Sequence, residues 1–442
     1  MYPWATIAPG FWLSFGAIAI IMLVTVGRIG QMHWLSGWLR IQWAITLGLI
    51  PLLLALFQQI SLVSPVANAI AIPLVSIVIV PLTLLATIPF FDFMLPLAHD
   101  VLSVVMALLH LLNNLPHAVL QQHAPPVWTI MVAAIGVLWI LLPGSLGLGF
   151  LAGFPARWLG VIALLPIFLV QPPKPKNGEL WLTVLDVGQG LAVVARTEHH
   201  ALLFDTGPGF GEADSGNRVI VPFLRGEGIH RLDALIVSHA DSDHSGGALS
   251  VLNEIPVMLL LSSLNHQHPI QQAAINKDQC RAGQSWQWDG IEFEVLHPSM
   301  QDYANRQRNV NSNSCVLKIT SAHGSVLLPA DIEGKDEQAL LIRSGDKLPA
   351  TILIAPHHGS QSSSTVNFIQ KVSPAVTIFT VGYLNRYDHP REAVMERYRS
   401  SESQLLRNDR DGAILLRFAN NGWSVDSWRK LYRRYWHHSS IH

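Results

Sequence analysis

The sequence predicts a polytopic α-helical membrane domain followed by an α/β domain rich in sheet. Three observations predict it. Before residue 171 the only formally charged side chains are Arg28, Arg40, Asp92, Asp100 and Arg157; the rest of the 29 Lys and Arg and the 30 Asp and Glu residues follow. Apolar runs of spanning length recur up to residue 170, and a membrane-crossing helix needs about 20 mostly apolar residues. Beyond residue 179 the rhythm changes to short apolar strands separated by Gly and Asp turns. Half of the 442 residues are hydrophobic and 13% are charged, and the formal net charge of -1 leaves no basic surplus. A nucleic-acid partner therefore has to be argued from a site and not from overall charge.

The membrane domain is expected over 1–170, with spans near 11–27, 41–57, 68–90, 127–144 and 156–170. Pro51, Pro73 and Pro81 interrupt the second and third, which is tolerated where neighbouring helices or water satisfy the freed backbone. Trp34, Trp38, Trp128 and Trp158 stand near span ends, as interfacial anchors do. Between the third and fourth spans the pattern over 97–117 is amphipathic. His99, Ser103, His110, Asn113 and His117 share one helical face, opposite Val, Leu and Met. Two readings stay open: a helix lying on the membrane surface, or one lining a polar path through the bundle.

"QPPKPKNG" (171–178) is a stiff, solvated linker. The sheet-rich domain is expected over 179–425. Its strands are read in "LWLTVLDVGQG", "LAVVARTEHHALLFDTG", "LDALIVSHADSD", "VMLLLSS", "IEFEVLHP", "CVLKITS", "GSVLLPADI", "ATILIAPHHGS", "AVTIFTVG" and "AILLRFA", with helices near 246–253 and 334–343. A basic, aromatic tail over 426–442 is read as a solvated end, a membrane-surface helix or a nucleic-acid contact. Cys280 and Cys315 are two free thiols or one disulfide, and the count alone does not decide.

"SHADSDHSGG" (238–247) gathers two histidines and two aspartates where a buried strand ends. His239, Asp241 and Asp243 alternate along one loop, His244 turns the other way, and Gly246 and Gly247 admit a close backbone turn. Such a loop can feed two metal ions about 3.5–4 Å apart. Three more strand ends offer ligand-type residues: Asp205 in "FDTG", Asp331 in "PADIE", and His357 and His358 in "PHHGS". A lone Asp after a strand is an ordinary turn residue; four such ends together point to a metal centre.

The same stretches carry a resemblance. "SHADSDHSGG" resembles the His-x-His-x-Asp-His signature of the metallo-β-lactamase superfamily. Together with "DVGQG", "NSNSCVL", "NRYDHP" and "NDRDGAI", it resembles the hydrolase domain of the ComEC family of DNA-uptake proteins. "GFWLSFGAIAI" and "SPVANAIAIPLVSIVIVP" resemble that family's membrane segments. The resemblance implies an α/β metallo-β-lactamase-like domain, an αββα sandwich, behind the membrane domain. It implies two divalent ions, Mn or Zn, held by His239, Asp241, Asp243, His244, Asp331, His357 and His358. Asp331 would bridge the ions, and Asp205 would orient ligand histidines. Asp243, Asp205 and His389 would be the catalytic set, and Gln189, Asn313 and Ser314 would meet substrate. Asp241 stands where the signature has histidine, which tilts the site toward harder ions such as Mn. Family members also carry further segments before the "GF-LSF" stretch, so the chain reads as a carboxy-terminal portion.

The function implied is passage of single-stranded DNA through the inner membrane, coupled to metal-dependent hydrolysis of DNA phosphodiesters. Implied partners are DNA, membrane lipid, and other competence proteins or further copies of the chain. Two alternatives remain open: a membrane-tethered hydrolase of another ester, and a channel component with a degenerate metal site. Arg28 and Arg40 put residues 28–40 in the cytoplasm by the positive-inside rule. Five further crossings, if the 97–117 helix spans, put the hydrolase domain on the outer side; a surface-lying helix puts it in the cytoplasm.

Overall fold

The computed structural model describes residues 3–26, 33–142, 157–211, 213–304 and 309–434. The chain divides into two units near Pro172. The first is helical. Its helices are Pro9–Thr25, Trp34–Phe57, Ser64–Leu85, Met94–Asn113, Val127–Leu141 and Arg157–Leu169. By length and composition, three helices are long and apolar enough to cross a membrane: Leu35–Phe57, Ser64–Leu85 and Met94–Asn113.

Several boundaries differ from the sequence reading, each for a local reason. The second helix begins at Trp34, seven residues early, where the His33 ring accepts a bond from the Leu35 N–H. The third begins at Ser64 with Pro65 in its first turn, where proline's missing N–H costs nothing. Pro73 does not break that helix. Over Leu74–Ile79 the ladder widens to a π-turn, with the Val80 N–H reaching the Val75 carbonyl. The amphipathic helix spans 20 residues and stops at Asn113, so His117 lies outside it in a left-handed conformation. His99, Ser103, His110 and Asn113 are exposed, while Ala98 and Val105 are buried. A three-residue antiparallel ladder, Gln59–Ser61 with Val119–Gln121, ties the two ends of this region together. The expected spans 11–27, 127–144 and 156–170 run into residues outside the described ones, as do Arg28 and tail residues 435–442.

Glycine sets a close helix contact in this unit. A Cβ on Gly136 would lie 2.7 Å from the Gly160 carbonyl oxygen, and one on Gly160 would lie 2.5 Å from that of Gly136. The last two helices thus cross backbone to backbone, as small residues allow in membranes.

The second unit is two sheets packed face to face. The first runs Lys277–Gln279, Leu260–Ser262, Ala234–Val237, Ala201–Phe204, Val193–Arg196, Leu180–Val184, Ile414–Ala419, Gly422–Ser427. The second runs Ser285–Trp288, Ile291–His297, Val316–Ser321, Gly324–Leu328, Ile352–Ile354, Val376–Phe379, Gln404–Arg407. Leu182, Phe204 and Ile236 of the first meet Phe293, Leu317 and Ile354 of the second in one buried core. Each outer face has its own apolar layer. Leu224 and Val251 cover the first sheet, and Leu340, Phe368 and Tyr398 cover the second. This is the expected αββα sandwich.

Four features place the site. Strands 201–204, 234–237 and 260–262 run parallel, as do 324–328, 352–354, 376–379 and 404–407. Ligands gather at the carboxyl ends of parallel strands, and Asp205, His239, Asp331 and His357 all follow such ends. Cys280 and Cys315 form a disulfide joining the two sheets beside those ends. The last strand continues through Ser427 into a short helix, Trp428–Leu431, where Arg429 pairs with Asp186 at 3.2 Å. The residues first read as the start of a tail therefore belong to the folded unit.

Candidate metal centre

The strand Ala234–Val237 is fully buried and delivers Ser238 and His239 into the gap between the sheets. Asp241 caps a single helical turn, Ser242–Ser245, which carries Asp243 and His244. Two glycines let this turn press against its neighbours. A Cβ on Gly246 would lie 2.2 Å from the Gly209 nitrogen, and one on Gly247 would lie 2.5 Å from the Thr206 oxygen. The "DVGQG" stretch grips the turn from behind: the Leu191 N–H donates to the Asp243 carbonyl at 3.1 Å.

Four imidazoles converge, and each is held through Nδ1. His244 Nδ1 lies 2.7 Å from Asp205 Oδ2, and His358 Nδ1 lies 2.9 Å from Thr380 Oγ1. His239 Nδ1 meets Ser238 Oγ at 2.9 Å and Ser314 Oγ at 3.3 Å, and His357 Nδ1 meets Ser362 Oγ at 3.2 Å. His357 and His358 are consecutive left-handed residues, a costly conformation that brings both rings to the centre.

The Nε2 atoms face inward around Asp331. Its Oδ1 lies 3.0 Å from His244 Nε2 and 3.6 Å from His358 Nε2. Its Oδ2 lies 3.8 Å from His357 Nε2 and 4.0 Å from His239 Nε2. Asp243 Oδ2 stands 3.4 Å from His358 Nε2, and Asp241 Oδ2 stands 3.7 Å from His239 Nε2. Asp243, His244, Asp331 and His358 offer ligand atoms all within 4.8 Å of one another. The His239, Asp241 and His357 side is wider, and the Asp241 side chain is 49% exposed.

These residues fit divalent ions. His239 Nε2 is buried with no hydrogen-bond partner, a cost that a bound cation would remove. His244 and His358 point Nε2 at each other across 3.1 Å, a contact that a shared cation would also relieve. Each half of the centre offers two imidazoles and two carboxylates, with Asp331 common to both.

Burial pushes the Asp243 carboxyl up, but the His358 hydrogen bond and the His244 and His358 charges outweigh it and bring it down to about 2. Burial also opposes ionisation of Asp331, yet His244 and His358 hold that carboxyl well below the usual range. For His244, burial disfavours the cation, while Asp331 and Asp205 more than compensate and raise it. Burial, helped by the charges of His358, His357 and Arg391, lowers His389 to about 4.

The other expected residues take varied places. Asp205 is fully enclosed behind His244 and also accepts from the Ser238 N–H and hydroxyl at 2.6 and 2.7 Å. His389 stands at the rim, its ring 6.0 Å from that of His357. Gln189 Oε1 accepts from the Gly382 N–H at 3.2 Å. Asn313 Oδ1 is buried without a hydrogen-bond partner, and the neighbouring Ser314 touches His239. Sequence reasoning did not single out Ser238, Ser362 or Thr380. Their signal is a hydroxyl residue within one or two positions of an apolar strand end or the "PHHGS" turn.

Comparison with known proteins places both units among known families. Residues 1–146 match the family model "Competence protein", and residues 185–381 match "Metallo-beta-lactamase superfamily". The chain is 35% identical over 437 residues to "Competence protein ComA" of Neisseria gonorrhoeae, covering 98% of this chain and 59% of that one. It is 31% identical over 462 residues to "Uncharacterized protein YcaI" of Escherichia coli, covering 99% and 57%. Among solved structures, the metallo-β-lactamase fold protein YhfI of Bacillus subtilis aligns at 12% identity and a TM-score of 0.34, covering 52% of this chain and 95% of that one. The chain thus spans under two thirds of the length of the curated relatives it matches. These matches bear out the resemblance to the ComEC family of competence proteins: in this chain a segment matching the Competence protein model precedes one matching the metallo-β-lactamase superfamily.

Proposed function

We propose that the sheet-rich unit is a metal-dependent phosphodiesterase that cuts DNA at the membrane, and that the helical unit passes one DNA strand. The observation that carries the first part is the sharing of Asp331 between two imidazole pairs, beside the orphaned Nε2 of His239. His239, Asp241, His357 and Asp331 would hold one ion; Asp243, His244, His358 and Asp331 would hold the other. Two such ions supply an activated water at neutral pH and stabilise charge on phosphoryl oxygens. Asp243 is partly open and ionised at neutral pH, so its carboxylate can accept a proton from an attacking water. His389 is neutral there and can donate or accept a hydrogen bond to substrate at the rim. Asp205 is a positioning residue: its bond to His244 Nδ1 fixes which nitrogen faces the centre. A channel component with a dead site is less favoured, because every imidazole is braced from behind.

The outer side of the membrane is the reading we favour for this unit. Disulfides persist in oxidising compartments, and Cys280 is bonded to Cys315. Met94–Asn113 is long enough to cross, as the outer placement requires of the amphipathic helix.

Four outcomes are expected. Oligonucleotide cleavage by the detergent-solubilised full chain stops with EDTA and returns with Mn. Asp331→Asn abolishes it, and Asp205→Asn weakens metal affinity or activity by about 10- to 100-fold; cleavage that survives chelation would sink the hydrolase reading. Asp241→His shifts metal preference from Mn toward Zn, read as the ratio of activities supported by the two ions; an unchanged ratio means that Asp241 is not a ligand. In intact cells quenched with acid, Cys280 and Cys315 accept a maleimide mass tag only after reduction, and tagging without reductant contradicts the outer placement. His110→Cys, on the exposed polar face, reacts with a water-soluble maleimide and is shielded when DNA occupies the path. Labelling insensitive to DNA in a transporting protein removes this helix from the route.

A further inference from the structure

Residues 382–390, "GYLNRYDHP", follow the strand Val376–Phe379 and form the rim beside His357. The loop is held at several points. The Gly382 N–H bonds to Gln189, and a Cβ at Gly382 would lie 2.7 Å from the Gln189 nitrogen. Asn385 closes the loop on itself, donating to the His389 carbonyl at 2.7 Å and accepting from the His389 N–H at 3.0 Å. The Arg391 N–H then donates to the Gly359 carbonyl at 3.0 Å, directly after the ligand pair.

On this braced loop, flat side chains form a row leading outward from the metal centre. The His389 ring lies 6.0 Å from that of His357. Tyr387 stacks on His389 with centroids 5.8 Å apart and planes at 25°. The Arg386 guanidinium lies 4.9 Å above the Tyr387 ring and hydrogen-bonds its hydroxyl. The nearby cation Arg391 is paired with Asp388 at 2.8 Å, whereas Arg386 rests on Tyr387. Tyr383 and Leu384 on the same loop are 67% and 84% exposed. Neither the proposed metal centre nor the core uses Tyr383, Arg386 or Tyr387. Exposed aromatic groups on a clamped loop beside the candidate centre are available to a ligand held there.

We infer that this loop is a stacking rim for an unpaired nucleobase adjoining the phosphodiester at the centre, so that the substrate class is a single-stranded polynucleotide. The inference rests on the phosphodiesterase reading for the identity of the bond cut. Every base has a π-face, so stacking on the outward Arg386 plane, which Tyr387 backs, is tolerant of sequence. Arg386 also brings a positive charge for a flanking phosphate. In a duplex the base faces are already stacked on one another, so the rim cannot engage them without opening the helix.

The test uses the full chain in detergent, stripped of metal with EDTA, and a fluorescein-labelled oligothymidylate read by anisotropy. A blunt duplex of equal length is the comparison ligand. The wild-type chain binds the single strand more tightly than the duplex. Tyr387→Ala weakens single-strand binding roughly tenfold with little change for duplex, Arg386→Ala weakens it less, and Tyr387→Trp restores it. Equal affinity for the two ligands, or a single-strand affinity unmoved by Tyr387→Ala, overturns the inference. Mn-supported hydrolysis of bis(p-nitrophenyl) phosphate by the same preparation reports on the centre alone. If that hydrolysis is absent while the strand preference and its loss in Tyr387→Ala persist, the phosphodiesterase reading falls and the rim stands. If it is present without strand preference, the rim falls.

Discussion

The shared carboxylate of Asp331 is the constraint around which the rest of the site is arranged. It is almost fully buried, and an ionised carboxylate there needs polar partners or a metal ion at its oxygens. His244 and His358 face one oxygen, and His239 and His357 face the other. That symmetry requires ligands from both sheets. His239 and His244 come from the first, and Asp331, His357 and His358 from the second. The face-to-face packing of the two sheets is therefore a condition of the metal centre. The Cys280–Cys315 disulfide joins the sheets close to it: the Cys315 N–H bonds to the Ser238 carbonyl at 3.0 Å, one residue from His239.

Behind the ligands lies a layer that converts flexible imidazoles into fixed donors. Asp205, Thr380, Ser238, Ser314 and Ser362 each occupy an Nδ1, which leaves Nε2 as the inward atom on all four rings. Fixing the tautomer in this way raises ligand basicity and removes the entropy that a free ring would lose on binding an ion. Asp205 is the most constrained of these, because it also accepts both bonds that Ser238 donates. The glycines matter for a different reason. Gly190, Gly246 and Gly247 allow backbone contacts closer than any side chain permits, and those contacts set the position of the turn that carries Asp243 and His244.

The helical unit follows another logic. In lipid, association relies on close packing and not on water expulsion, and the Gly136–Gly160 crossing supplies it. The helix Met94–Asn113 keeps Ala98 and Val105 inward and leaves His99, Ser103, His110 and Asn113 outward. A polar stripe on a helix of spanning length is costly against hydrocarbon, so it calls for a hydrated neighbour.

Local chemistry determined a good deal. Charge segregation marked the boundary between membrane and soluble parts, because ionised side chains are expelled from hydrocarbon wherever the chain folds. The candidate ligands stood out because metal chemistry demands few residue types, and they follow strands of apolar residues. The helix Gly334–Ser344 was legible from its own pattern. What the sequence left open depends on contacts between distant segments. Whether Cys280 and Cys315 pair is set by two sheets that come together across 35 residues. That Asp331 offers one oxygen to each imidazole pair depends on side-chain direction, which strand spacing does not encode. The bracing roles of Thr380 and Ser362 carry only a weak local signal, since a hydroxyl near a strand end is ordinary until a ring arrives beside it. The short ladder joining Gln59–Ser61 to Val119–Gln121 escaped notice because three residues are too few for a period. Helix limits shifted by several residues because proline and capping choices are settled by the neighbouring backbone. Residue type selected the chemistry, and only the tertiary packing of the two sheets decided which atoms meet.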